Sequence, residues 1–158
     1  MDKLGHARGR AGTATVEFAL VLPLLMALLF GIIEFGFLFK DQLAIQQVAR
    51  EGARTAAVGR TVAEVNDRII ASAATLTTAH LTFDTMYRTY DSGVWSAWTT
   101  LGNRLDDSGQ NDAPQGAQIR VRTHYVHGFL TGSLFARLIG RPGATSLTLN
   151  AEMVMRRE

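Results

Sequence analysis

The feature that most constrains this chain is the stretch from Gly12 to Phe39, which carries no formal charge between Phe18 and Ile33. Burying such a run on all sides would take a larger core than 158 residues can build, so its natural surrounding is a bilayer. At ~1.5 Å rise per residue, a helix over 18–39 is roughly 33 Å long, enough for one crossing of a ~30 Å hydrocarbon core with Glu34 near an interface. The apolar region of a cleaved secretory signal is only about 7 to 15 residues, so the run reads as a retained anchor. Lys3, Arg8 and Arg10 precede it against Asp2 alone, and flanking cations stay on the cytoplasmic side. The N-terminus is therefore expected inside and everything after Lys40 outside. The chain has no cysteine, so the exported part must hold together by packing rather than disulfides.

Two carboxylates interrupt the apolar pattern. Glu17 stands at its head, where it either rests at the interface or serves a function, since a carboxylate inside a span costs a few kcal/mol. Thr13, Ala14, Thr15 and Val16 separate it from Gly12, and Phe18 follows it. A glycine with a glutamate five residues later resembles the processing motif of type IV pilins and pseudopilins. More closely, Gly12 to Arg54 resembles the TadE-like family of the tight-adherence (Flp) pilus system. Four groups of residues carry the resemblance: Glu17-Phe18-Ala19, Leu22-Pro23-Leu24, Gly31 with Glu34-Phe35-Gly36, and Ala49-Arg50-Glu51-Gly52-Ala53-Arg54.

The resemblance implies that a prepilin peptidase cuts between Gly12 and Thr13 on the cytoplasmic side. It also implies that Glu17 neutralises the N-terminal amine of an adjacent subunit, two charges that hydrocarbon tolerates only together. Cleavage would remove three cations and one anion, taking the formal charge from +2 to 0. Phe18 belongs to the same register element. Pro23 removes a helical bond to the Ala19 carbonyl, either as a passive kink or as a point of melting during assembly. Glu34, near the outer end, is expected to snorkel or to pair in trans.

Beyond the span, Ala49, Ala53 and Ala57 repeat every four residues, as do Gly52 and Ala56. This small-residue stripe permits close helix packing, on the chain's own head or on a partner. Gly59 is placed as a left-handed cap, and Thr61 with Glu64 reads as a capping box opening a second helix to about Leu76. Val62, Val65, Ile69, Ala73 and Leu76 fall on one face of it.

Alternation then predicts strands over 81–88, 94–100, 119–125 and 147–155, with a turn at Asp91-Ser92-Gly93 and an exposed loop over 102–116. A short helix is expected over 128–139. The fold class is α+β: a basic leader over 1–12, a long helix over 13–58 that is transmembrane over about 18–39, and a head over 59–158 with a largely antiparallel sheet.

Chemistry-bearing clusters are sparse. His124 and His127 lie three apart, which on a strand sends them to opposite faces and argues against a metal pair. Asp106, Asp107, Asn111 and Asp112 crowd one loop without the EF-hand spacing and read as solvated. Tyr87, Tyr90, Trp95 and Trp98 are expected to cap a small core, with an adhesive surface as the alternative. No catalytic motif is present, and no basic-aromatic stripe marks a nucleic-acid surface. The expectation is a non-enzymatic minor pilin or pseudopilin of the bacterial inner membrane that supports adhesion or secretion, without cofactor or metal. Its partners are the membrane, the peptidase and other pilins or assembly proteins, in a hetero-oligomer. The alternative is an uncleaved single-pass scaffold whose head binds a periplasmic partner.

Overall fold

The computed structural model describes residues 7–105, 109–132, 137 and 140–158. It is α+β: one long apolar helix followed by a small antiparallel-sheet domain. Helix α1, Ala7–Ala57, is continuous over 51 residues, about 76 Å, with Pro23 inside it. The sequence places the start of this helix at residue 13. Helical backbone reaches back to Ala7 because Gly9 and Gly12 weaken a helix by only about 1 kcal/mol each without breaking it.

The second half of α1 lies along the inner face of a four-stranded sheet of order β4-β1-β5-β6. Its strands are β1 (Leu81–Arg88), β4 (Thr99–Thr100), β5 (Gln118–Gly128) and β6 (Ser146–Arg156), and every pairing is antiparallel. The period-2 pattern of β5 places Ile119, Val121, Thr123 and Tyr125 on the inner face, all buried. Ile45, Val48, Ala53 and Ala56 of α1 close over them, together with Val65 and Ile69 of α2, Val62–Ser72.

The expected capping box opens α2. The Glu64 amide donates to Thr61 Oγ1 at 3.3 Å and the Thr61 amide donates to Glu64 Oε2 at 3.0 Å. The helix stops at Ser72 rather than Leu76, because the Ala73 amide turns back to the Ile70 carbonyl and poor helix formers, Thr75 and Thr77, follow. Leu76 is buried all the same, tucked under by a turn that bonds its amide to the Ala73 carbonyl.

The expected return strand over 94–100 is two pieces. β2 (Tyr90–Asp91) and β3 (Val94–Trp95) form a small hairpin across Ser92 and Gly93, both at positive φ, 50° and 88°. After a break at residues 96–98 the chain rejoins β1 as β4. The break leaves Trp98 over two arginines on the outer face of the sheet. The helix expected over 128–139 begins inside β5 at Gly128, and residues 133–136 and 138–139 of it lie outside the described residues.

Candidate functional site

The first half of α1 is an apolar rod that nothing among the described residues covers. None of residues 12–33 is buried, and Gly12, Thr13, Glu17, Phe18 and Pro23 all stand on exposed helix. It is the one helix among the described residues long and apolar enough to cross a membrane. Leu24, Ala27, Leu28, Gly31, Ile32 and Phe35 line a shallow apolar depression along one side of it. Helical geometry places Glu17 about 26 Å from Glu34, close to a hydrocarbon thickness.

At the other end of that span the chain does something unexpected. Glu34 is 0% exposed, so it neither snorkels nor waits for a second subunit. It accepts hydrogen bonds from the Leu130 amide (2.9 Å), the Thr131 amide (3.1 Å) and Thr131 Oγ1 (3.1 Å), at the turn that follows β5. A carboxylate beside hydrocarbon must find donors, and the head's own backbone supplies them more closely than water could.

One helical turn and three residues later, Asp41 is also buried, and its Oδ2 meets His127 Nδ1 at 2.7 Å. The other ring nitrogen, Nε2, is 3.7 Å from Glu34 Oε1. The imidazole thus stands between two carboxylates of α1, bonded to Asp41, with Nε2 beyond hydrogen-bond distance of Glu34. Lys40 Nζ, 3.2 Å from Asp41 Oδ1, closes the group on the solvent side. This arrangement joins α1 to β5 and to the turn that follows it. It clamps the head to the helix where the helix leaves the apolar span. His124, on the opposite face as its spacing requires, instead meets Asn150 and Asp84 in the open.

Sequence reasoning missed Asp41 and His127, although a signal for Asp41 was present. Glu34, Leu38, Asp41, Ile45, Val48 and Gly52 are separated by alternating steps of four and three, the heptad rhythm of one buried seam. Two carboxylates on an otherwise apolar seam announce a polar partner. The strand that supplies it, 86 residues away from Asp41, is not written in that rhythm.

The small-residue stripe lies further along the same helix. Ala49, Gly52, Ala53 and Ala56 are buried against the chain's own α2 and sheet. The Gly52 Cα faces Ile69, leaving no space for a side chain. At the far end, buried Asn111 donates from Nδ2 to the Ala56 and Arg60 carbonyls, both at 2.9 Å, and accepts from the buried Arg157 guanidinium. Burial, with Arg104 nearby, holds Arg157 below its ordinary value, and Asp112 opposes the shift. Asp112 itself accepts from the Gly102 amide at 2.8 Å, so Asn111 and Asp112 pin the loop to the helix end. They are not simply solvated. Asp106 and Asp107 lie outside the described residues.

The aromatic cluster divides between the faces. Tyr87 packs on the core, but Tyr90, Trp95 and Trp98 lie on the outer face in a ladder with arginines. Arg88 sits 4.6 Å from the Trp95 ring and 4.5 Å from the Trp98 ring, and Arg120 is 4.1 Å from Trp98 on its other contact. The expectation of core packing therefore holds for Tyr87 alone.

No curated protein and no solved structure matches the chain. The segment that does have relatives holds the exposed rod from Gly12, the Glu34–Asp41 seam and most of the small-residue stripe: residues 12–54 match the family model described as TadE-like protein.

Proposed function

We propose that this protein is a minor pilin or pseudopilin of a tight-adherence pilus, delivered to the assembly apparatus through the first half of α1. The match of residues 12–54 to the TadE-like model supports a protein associated with a Tad pilus. The observation that carries the finer reading is the uncovered rod headed by Glu17, with Gly12 five residues before it. In this reading a prepilin peptidase cuts after Gly12, the new amine at Thr13 meets the Glu17 carboxylate of a neighbouring subunit, and Phe18 and Pro23 set the register of the packed helices. The head, outside the inner membrane, meets other pilins, and the assembly supports adhesion or secretion.

One observation favours the rival, an uncleaved anchor whose head binds a periplasmic partner. Gly12 and Thr13 lie within helical backbone, whereas a peptidase must draw its substrate into an extended form. The deciding experiment is the N-terminal sequence and intact mass of the protein from membranes of cells with and without an active prepilin peptidase. A start at Thr13 that depends on the peptidase supports the pilin reading; an intact leader in both strains overturns it in favour of the anchor.

A further inference from the structure

We propose that the turn after β5, Phe129 to Thr131, is a second membrane contact that lets the head rest on the bilayer's outer interface with Leu130 inserted. This rests on reading α1 as a membrane span, and it concerns what the head does there.

Three observations locate the turn. Its height is set by Glu34, which accepts from the Leu130 and Thr131 amides at 2.9 and 3.1 Å, so the turn stands level with residue 34 of the helix. Phe35, Phe37 and Phe39, all exposed, continue the apolar helix above that level, and Phe39 is about 7.5 Å further along the axis. The turn therefore lies within the depth of the apolar span, not above it.

Phe129 faces inward, packed with Leu38, Ala144 and Leu147, and this fixes the orientation of the residue that follows. Leu130 then projects outward, 70% exposed. An outward leucine on a turn pinned at the depth of a membrane span is continuous with the apolar surface of that span, and lipid is the occupant that this continuity selects. Glu34, in turn, needs no path to water because the turn's amides take its place.

The cysteine-free chain makes the test direct. Full-length variants Leu130→Cys, Ile32→Cys and Val94→Cys are labelled with an environment-sensitive fluorophore and reconstituted at low density into phosphatidylcholine–phosphatidylglycerol vesicles containing a lipid with a quencher on its acyl chain. Val94 is 70% exposed and lies beyond the opposite end of the sheet, which over the ten steps from Gly128 to Gln118 is roughly 33 Å long.

Quenching at position 130 is expected to approach that at position 32 and to exceed that at position 94 several-fold. Adding Glu34→Ala should bring position 130 toward the value for position 94 and leave position 32 unchanged. Strong quenching at 32 with none at 130 overturns the proposal and leaves the turn to water or a partner subunit. No quenching at 32 removes the span itself, and the proposal with it.

Discussion

Adding a single methyl group at Gly52 tests whether the small-residue stripe closes on the chain's own head or awaits a partner helix. A Cβ there would lie 2.6 Å from Ile69 Cγ1, 2.8 Å from Ile69 Cδ1 and 3.4 Å from Val121 Cγ1. Apolar carbons settle at about 3.5–4.0 Å, so Ile69 would have to retreat by roughly 1 Å. Ile69 is wholly buried among α1, α2 and the sheet, and its Cγ1 is held near the backbone, so it cannot swing clear. Overpacking of this kind costs about 1–3 kcal/mol, whereas alanine in place of a helical glycine gains about 0.8–1.0 kcal/mol.

Gly52→Ala should therefore destabilise the head by about 1 kcal/mol net, lowering the melting temperature by roughly 4–8 °C for a unit of this size. Thermal unfolding of the full chain in detergent, followed by near-ultraviolet circular dichroism, reads this. Ile69→Ala alone should cost about 2–5 kcal/mol, and the double variant should be less destabilised than the two singles together by about 0.5–3 kcal/mol. If Gly52→Ala stabilises the protein by the full helix-forming gain, or the two changes simply add, the stripe is not pressed on α2 and belongs at an interface with another subunit.

Glu17→Ala should leave membrane insertion and head melting unchanged while removing the protein from sheared surface pili, as read by immunoblot; undiminished incorporation would strip Glu17 of its assembly role. Asn111→Ala should cost about 3 kcal/mol in thermal unfolding, because the Ala56 and Arg60 carbonyls and the Arg157 guanidinium all lose a partner together. The Thr61 backbone and side-chain hydrogen bonds, and then Arg60, hold the Glu64 carboxyl below its ordinary value. A carboxyl depressed in the folded state stabilises above its unfolded pKa and loses that contribution as pH falls through the folded value. Thr61→Ala removes the hydroxyl and leaves the backbone amide, so it should raise the Glu64 titration seen by NMR part of the way and flatten the acid limb of stability to the same extent; an unmoved titration would refute the side-chain bond as a cause.

The span, the second helix and the strands were legible because each rests on a local period. Phe18 to Ile33 lack charge, Thr61 and Glu64 are three apart, and Ile119 to Tyr125 alternate, and each pattern constrains its own neighbourhood. The misread elements are those settled by contacts between distant residues. The strand over 94–100 breaks where Trp98 finds Arg88 and Arg120, and α2 ends where its chain turns under the core. Of the candidate site, Gly12 and Glu17 were visible by spacing, whereas Glu34 was visible as a carboxylate but assigned to solvent or to another subunit. Its partners are amides of residues 130 and 131, and a backbone amide has no letter in the sequence.

The sequence by itself determined that one long apolar helix precedes a small mixed head, that a carboxylate stands at each end of the apolar run, and that residues 12–54 carry a TadE-like pattern. These follow from hydrophobicity and from the helical and strand periods, which act over a few residues. Only the tertiary structure decided where Glu34 and Asp41 go. The heptad seam turns both toward the sheet, and antiparallel pairing of β5 brings His127 and the turn at Leu130 against them. A buried charge is tolerated only beside its donors, and here the donors come from the far end of the chain.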